Sequence, residues 1–204
     1  MQTGVRVSVS TRRSSVGRPE ATSHAAIEEA AFALFAERGF EATTIDDIAR
    51  AVGVSRRTLF RYYPSKNDIP WGQFDRTLDH FRGLLAELPV ELPLREAVHR
   101  GVIAFNDFPD DAQPSHRDRM RLILQTPALE AHSVLRYGQW RQVIAEFVAD
   151  RLGMGPEEPL PVVVGQVALA KALAAYSSWL REPGTTIAEH LQSIATALDE
   201  FDRL

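Results

Sequence analysis

From residue 23 onward, apolar residues recur at three- and four-residue intervals, and this helical periodicity limits the fold more than any other feature of the sequence. Proline and glycine divide the pattern into segments, and no segment alternates apolar and polar residues as a half-buried strand would. The sequence therefore predicts an all-α fold. The helices are expected at residues 23–38, 44–52, 56–62, 69–87, 94–107, 116–125, 128–152, 160–182 and 185–203.

Several classes of chemistry are excluded by what the chain lacks. The 204 residues include no cysteine, which rules out disulfides, thiolate metal sites and a cysteine nucleophile. The six histidines form no His-Glu-x-x-His motif, and neither a Gly-x-Ser-x-Gly motif nor a phosphate-binding loop is present. We therefore expect no enzyme, no metal site and no cofactor, although carboxylates that only the fold brings together escape this reasoning.

The cellular location is predicted from two stretches of the sequence. Residues 1–23 are polar and basic, without the apolar core of a secretory signal. The most apolar stretch, residues 160–176, is interrupted by Gly165, Gln166 and Lys171, so we expect it to be too short to span a bilayer. A cytoplasmic protein is the resulting prediction.

Charge is distributed unevenly along the chain, whose net charge is -4. Residues 1–66 contain 10 Lys and Arg against 7 Asp and Glu, whereas residues 67–204 contain 13 against 20. Such asymmetry is typical of a basic module joined to an acidic one. The placement of the basic residues is more informative than their number, because four of them fall within residues 56–66.

Two short predicted helices, joined by a turn that contains Gly53, have the spacing of a helix-turn-helix motif. The second helix of such a motif enters the major groove, where arginine can pair with guanine and a threonine methyl can contact thymine. Hydroxyl and ammonium groups nearby can hold phosphates. The residues predicted to contact DNA are Thr44, Arg56, Arg57, Thr58, Arg61, Tyr62 and Lys66. From the pattern alone, a solvated arginine-rich helix within a bundle is an equally good interpretation.

Residues 30–66 resemble the N-terminal domain of TetR-type transcriptional regulators. The resemblance rests on Leu34-Phe35, Gly39-Phe40, Thr43-Thr44, Ile48-Ala49, Gly53-Val54-Ser55, Thr58-Leu59-Phe60 and Ser65-Lys66. Residues 64–75 are similar to the branch of that family linked to mycofactocin biosynthesis. The resemblance implies that the seven residues above face DNA. The sequence departs from the family pattern in two places. The family often has tyrosine at the position of Phe60, and Pro70 with Gly72 interrupts the start of the fourth helix. We therefore expect the fourth helix to begin near Pro70, after a turn over Ser65–Asp68.

The composition of the N-terminus and the resemblance together predict a division of the chain into three parts. Residues 1–22 form a flexible basic arm, residues 23–66 a three-helix DNA-binding domain, and residues 67–204 a helical bundle for effector binding and dimerisation. Arg12, Arg13 and Arg18 of the arm could enter a minor groove. The favoured alternative is a solvated tail that adds only sequence-independent attraction to DNA.

The last two predicted helices carry patterns that fit a dimer interface. Apolar residues of the last helix follow a heptad seam, and small residues line the helix before it. Periodicity alone fits an intramolecular core equally well, and the resemblance to a family of homodimers decides for a dimer. The predicted interface residues are Ala168, Ala172, Ile187, Leu191, Ile194 and Leu198.

The middle helices are rich in large apolar groups, and pockets between bundle helices are common ligand sites. We predict an apolar effector pocket lined by Phe105, Phe108, Leu124, Tyr137, Trp140 and Tyr176. Arg117, Arg119 and Arg121 could receive an anionic head group such as an acyl-CoA phosphate, although a solvated arginine face is the favoured interpretation. The function predicted from these features is an effector-released homodimeric repressor on a palindromic operator. An architectural DNA-binding protein and an enzyme are the alternatives.

Overall fold

A computed structural model describes residues 22–109, 111–201 and 203 of the chain, so the predicted basic arm lies almost wholly outside the described residues. Every regular element within this part is helical, which confirms the all-α prediction. The helices are α1 His24–Arg38, α2 Ile45–Ala51, α3 Arg56–Leu59, a 3₁₀ helix Lys66–Trp71, α4 Phe74–Ala86, α5 Leu94–Phe105, α6 His116–Gln125, α7 Pro127–Leu152, α8 Pro159–Trp179 and α9 Ile187–Phe201.

The first three helices begin at side chains that cap their free amide groups. The hydroxyl of Ser23 caps α1, that of Ser55 caps α3, and Thr44 with Asp47 forms a reciprocal capping box at α2. Helix α1 ends before Gly39, whose φ of 84° is costly for any residue with a Cβ. Local chemistry therefore sets where these helices begin and where α1 ends, as the sequence predicted.

Helix α3 is shorter than expected. The regular α-helix ends at Leu59. The amides of Arg61 and Tyr62 then donate to carbonyls three residues back, in tighter turns, before Tyr63 donates to the Leu59 carbonyl in α-helical register. The side chains of Leu59 and Tyr63 are buried with Ile27, Phe35 and residues of α2 in an N-terminal core. The full membership of the N-terminal core is Ile27, Ala31, Phe35, Phe40, Ile48, Ala49, Leu59, Tyr63, Ile69 and Leu129.

The prediction that α4 begins near Pro70 is wrong. Pro70 lies inside the 3₁₀ helix, and Gly72 follows with φ 60° and ψ -146°, a backbone conformation that cannot continue a helix. Helix α4 therefore begins at Phe74. The predicted interruption is real, but it extends further along the chain because a 3₁₀ helix replaces the simple turn that we expected.

Helices α4 to α9 surround a second, C-terminal core of aromatic and aliphatic side chains, which includes Phe81, Trp140 and Tyr176. The change from one core to the other occurs within the 3₁₀ helix, where Ile69 belongs to the N-terminal core and Trp71 to the C-terminal core. Leu129 of α7 packs into the N-terminal core, so the two parts share an interface. The domain boundary at residues 66 and 67 stays a prediction.

Helices α7 and α8 approach each other closely along a row of small residues. A Cβ placed on Gly165 would lie 2.9 Å from the backbone carbonyl oxygen of Arg141, and Ala168, Ala172 and Ala175 are buried on the same side of α8. Among the described residues, α8 is the one helix long and apolar enough to cross a membrane, contrary to our expectation from the sequence. In this fold, its small-residue side instead packs against α7.

We expect Gly165→Ala to destabilise the protein by about 1–3 kcal/mol, because the added methyl group would press on a backbone atom that cannot rotate away. Gly83 is the matched control, since it is also helical and a Cβ there would meet nothing within 4 Å. Gly83→Ala should stabilise by about 1 kcal/mol through helix propensity. Urea unfolding followed by circular dichroism measures both, and equal effects at the two positions would contradict the close approach.

Candidate DNA-binding surface and ligand cavity

Helix α3 presents its arginines to solvent. Arg56, Arg57 and Arg61 are exposed, while Leu59 of the same segment is fully buried. Arg56 lies 3.6 Å from a carboxylate oxygen of Asp46 and above the Phe60 ring, and its side chain remains 62% exposed. The structure records no ion pair for Arg57 or Arg61 among the residues it describes. Two guanidinium groups on this face are therefore available to an external anion or base edge.

Three of the predicted phosphate contacts already have partners within the protein. The Thr44 hydroxyl donates to Asp47 at 2.6 Å, and the Tyr62 hydroxyl donates to the carbonyl oxygen of Thr22 at 2.8 Å. The Lys66 ammonium donates to three loop carbonyls, at 2.8, 3.0 and 3.5 Å, and lies 4.3 Å from the centre of the Phe40 ring. These side chains fix the turns around α2 and α3, and their contact with phosphate stays a prediction.

The capping box on α2 also controls a charge. Hydrogen bonds from the Thr44 hydroxyl and amide, with a smaller contribution from Arg50, lower the pKa of Asp47 from 3.8 to about 2. Asp47 is therefore ionised at neutral pH, as the positive end of a helix favours. The same carboxylate pairs with Arg50 at 3.0 Å, which leaves the positive charge of this surface to the arginines of α3.

A cavity of about 330 Å³ lies among α4 to α8 and reaches the 3₁₀ helix and α1. Five of the six residues predicted for an effector pocket line it: Phe105, Phe108, Tyr137, Trp140 and Tyr176. Leu124 does not line the cavity, since it packs against the surrounding core. Sequence periodicity could place Leu124 on the inner side of α6 but could not distinguish the cavity wall from the core behind it.

A chain of polar groups crosses one wall of the cavity. His116 lies with its Nε2 2.9 Å from the Tyr176 hydroxyl, which donates to Asn106, and Asn106 donates to the Val102 carbonyl at 2.7 Å. Burial, with a smaller effect of Arg119, lowers the pKa of His116 to about 3, so the ring is neutral at physiological pH. Burial likewise raises the pKa of Tyr176. This wall therefore offers neutral hydrogen-bonding groups.

The three arginines of α6 do not form one anion site. Arg117 stacks on Trp179 and donates to its carbonyl oxygen at the end of α8, at 2.8 Å. Arg121 is exposed and pairs with Asp118 on its own helix, as a solvated face predicts. Arg119 alone lines the cavity, where its guanidinium pairs with Glu28 at 2.5 Å.

The Arg119–Glu28 ion pair connects the cavity wall to the N-terminal core. Glu28 is 8% exposed and belongs to α1. Its other oxygen accepts a 2.5 Å hydrogen bond from Tyr63, the last residue of the recognition segment, which we define as residues 55–63. Arg119 also donates to the carbonyl oxygen of Pro70 at 2.7 Å. One guanidinium thus holds α1, the 3₁₀ helix and, through Glu28, the chain that follows α3.

A second ionic cluster joins the 3₁₀ helix to α7. Arg136 donates to Asp68 at 2.7 Å, His132 lies 2.9 Å from the same oxygen, and Ser65 donates to the other oxygen at 2.7 Å. Burial by itself raises the pKa of Asp68, but the hydrogen bonds from Ser65 and Arg136 outweigh it, and the pKa lies below its usual value. The pairings within both clusters escaped sequence reasoning because the partners are distant in sequence and no motif marks them.

The predicted dimer residues lie largely inside the protomer. Ala168, Ala172, Ile187 and Leu191 are buried in the C-terminal core, and Ile194 packs against it. Leu198 is partly exposed and lines a groove between α5, α8 and α9. The exposed apolar surface of α8 is instead formed by Leu160, Val162, Val163, Val167, Ala170 and Ala174.

Two family models match the chain. A model described as "Bacterial regulatory proteins, tetR family" matches residues 27–69, and a model described as "MftR C-terminal domain" matches residues 92–201. The first covers the capped helices and the exposed arginines, and the second covers most of the cavity-forming helices. The chain belongs to the TetR family of DNA-binding transcriptional regulators.

Within that family, the chain is similar to MftR of Mycobacterium tuberculosis, named as a regulator of mycofactocin biosynthesis. The two are 46% identical over 178 residues, which is 87% of this chain and 90% of that protein. TcmR of Streptomyces glaucescens, an HTH-type transcriptional regulator, is 27% identical over 84% of this chain and 79% of its own. The relatives are regulators and not enzymes, which agrees with the prediction from the sequence.

Solved structures show the same fold. The fatty acid degradation regulator FadR of Bacillus halodurans aligns with a TM-score of 0.61 over 86% of this chain and 97% of its own, at 16% identity. FadR of Thermus thermophilus, solved in complex with lauroyl-CoA, aligns with a TM-score of 0.54 over 86% of this chain and 93% of its own, at 24% identity.

Proposed function

We propose that this regulator is a homodimeric repressor that binds a palindromic operator through α3 and is released from it by an apolar ligand in the cavity. One observation carries the proposal. Exposed arginines on the outer side of α3 and an aromatic cavity are joined by a buried hydrogen-bonded connection from Tyr63 through Glu28 to Arg119. A cytoplasmic regulator that responds to a small molecule needs a DNA-binding surface, a ligand cavity and a physical connection between the two.

The direction of the side chains supports α3 as the proposed DNA contact. With Leu59 buried, Arg57 and Arg61 point away from the N-terminal core, as a helix in the major groove requires. An arginine can donate two hydrogen bonds to guanine, which gives base discrimination. Arg56 and Thr58 border this surface, and Thr44, Tyr62 and Lys66 hold the adjacent turns in position to meet phosphates.

The dimer contact is proposed on the outward side of α8. Val163, Val167, Ala170 and Ala174 are exposed at intervals of four, three and four residues, so they form one continuous apolar stripe. An apolar stripe of this kind is costly in water and is typical of a helix that packs against a second copy. Two-fold symmetry would then set the recognition helices about 34–36 Å apart, one turn of DNA.

The ligand is proposed to be an apolar acyl compound, supplied as an acyl-CoA or in another form. The cavity of about 330 Å³ has the size of a small-molecule site and is lined by Phe105, Phe108, Tyr137 and Trp140. The fold of a regulator that binds lauroyl-CoA supports this class of ligand. Binding that favours a different placement of α3 must weaken operator affinity by the same factor as operator weakens ligand binding.

Titration of the operator complex with dodecanoyl-CoA tests the ligand class. We expect release of operator DNA, measured by fluorescence anisotropy, together with a rise of about 5–10 °C in the melting temperature of the DNA-free protein at a hundredfold excess over Kd. Free coenzyme A is the control for the head group alone. Unchanged anisotropy and melting temperature with dodecanoyl-CoA, decanoyl-CoA and hexadecanoyl-CoA would contradict an acyl ligand.

A further inference from the structure

The cavity contains one ion pair in an otherwise apolar and neutral lining. Arg119 and Glu28 are its charged lining residues, and the remaining polar groups are neutral side chains such as Gln73, Asn106 and His116. The side chains of Arg119 and Glu28 are only 21% and 11% exposed, respectively. A Cβ on Gly72 would lie 3.3 Å from both the Arg119 guanidinium and a Glu28 oxygen, so the backbone there is closed tightly over the pair.

The two partners differ in how firmly other groups hold them. Glu28 accepts hydrogen bonds from Tyr63 and Arg119, and it contributes the negative charge that the guanidinium needs. Arg119 also donates to the Pro70 carbonyl and lies over the Phe32 ring. These contacts hold the Arg119 guanidinium in position independently of Glu28. If Glu28 moved away, the guanidinium would therefore keep its position but would lack a counter-ion. A ligand anion could take the place of Glu28 on a guanidinium that is already positioned.

We propose that Arg119 is the residue that recognises an anionic group of the ligand, and that the anion displaces Glu28 and so separates α1 from α6. The inference rests on the proposed ligand cavity and defines the ligand as an amphipathic anion, an apolar body that carries a carboxylate or a phosphate. Hydrogen bonds between guanidinium and carboxylate or phosphate are about twice as strong as neutral ones, so a neutral carbonyl or hydroxyl would not displace a carboxylate.

The exchange connects ligand chemistry to DNA binding. While the ion pair is intact, Arg119 holds α1 to α6, and Glu28 also holds Tyr63 at the end of the recognition segment. A ligand that binds only when the pair is broken shifts the protein toward the separated arrangement. Loss of this contact leaves the position of α3 relative to the C-terminal helices less fixed, which lowers operator affinity.

Two variants that remove the same ion pair from opposite sides test the exchange. Arg119→Gln should lower the affinity for an anionic ligand about tenfold or more, because the recognising charge is lost. Glu28→Gln should raise that affinity about three- to tenfold, because the competing carboxylate is lost while the amide can still accept from Tyr63. A purely structural ion pair predicts changes in the same direction for both variants.

The probes are dodecanoate, dodecanoyl-CoA and the neutral 1-dodecanol, and binding is followed by the fluorescence of Trp71 and Trp140, which line the cavity. Arg121→Gln is the control, since it removes an exposed arginine from the same helix. For the two anionic probes, we expect Arg119→Gln to lower the binding affinity and Glu28→Gln to raise it. For 1-dodecanol, we expect both variants to change the affinity by less than twofold. If Arg119→Gln lowers the affinity for dodecanoate alone, the recognised group is a carboxylate. If it lowers the affinity for dodecanoyl-CoA alone, the recognised group is a phosphate.

Failure of the inference and failure of the proposed function give different results. If dodecanoyl-CoA still releases the operator from Arg119→Gln at wild-type concentration, the ligand cavity stands and anion recognition by Arg119 is overturned. Changes in the same direction for Glu28→Gln and Arg119→Gln, or equal losses for 1-dodecanol and dodecanoate, also overturn it. If none of the three probes binds the wild-type protein, the proposed ligand class itself fails.

Discussion

Val167→Glu is expected to convert the protein from a dimer to a monomer and to lower its affinity for a two-half-site operator by about 10²- to 10⁴-fold. Val167 lies in the centre of the exposed apolar stripe on α8. A two-fold contact would bury two copies of the new carboxylate without partners, and such burial is strongly unfavourable. Sedimentation velocity measures the oligomeric state, and fluorescence anisotropy measures operator affinity.

Val90→Glu is the matched control for this experiment. Val90 is 79% exposed in the segment between α4 and α5, far along the chain from α8. The same substitution there should leave both sedimentation and operator affinity unchanged. A Val167→Glu protein that remains dimeric at micromolar concentration would place the dimer contact elsewhere.

Arg57→Ala should cost about 1–3 kcal/mol of binding free energy on the cognate operator and relax base preference at the contacted position. Arg57 is exposed, and no ion pair holds it among the residues that the structure describes, so its removal should leave the fold intact. Competition binding with single-base operator variants measures the loss. An equal loss on every sequence would show that Arg57 contacts the DNA backbone.

Arg121→Ala provides the comparison for Arg57, because Arg121 is an exposed arginine of α6 and contributes the same formal charge. It should change operator affinity by less than twofold. A similar loss for both variants would indicate that overall charge, and not the surface of α3, governs binding to DNA.

Local patterns in the sequence were sufficient to predict most of the helices and the residues that face away from the cores. The capping residues Ser23, Thr44 and Ser55 begin helices where expected, since a cap acts on amides within the next few residues. Five of the six residues that helical periodicity predicted for an effector pocket line the cavity. These features depend on neighbours within one or two turns, which a sequence displays directly.

Contacts between distant segments could not be predicted. Glu28 and Arg119 are 91 positions apart, and a lone glutamate on a buried helix side has no sequence signature. The predicted beginning of α4 was wrong because Pro70 lies inside a 3₁₀ helix and Gly72 adopts a left-handed φ, and the sequence pattern did not indicate either conformation.

The small-residue stripe illustrates a different limit. Gly165 and Ala172 permit close approach, but periodicity does not say whether the approaching helix belongs to the same chain or to a partner. The fold resolves this ambiguity for the buried side: it packs against α7, and the opposite side of α8 remains exposed.

Selection of operators from a pool of random DNA duplexes most directly tests the claim that the exposed surface of α3 reads bases. We predict enrichment of a palindrome whose half-sites are about 10 base pairs apart, with a preferred base in each half-site that Arg57→Ala no longer selects. A pool that retains no preferred sequence, while binding falls uniformly with salt, would contradict this account.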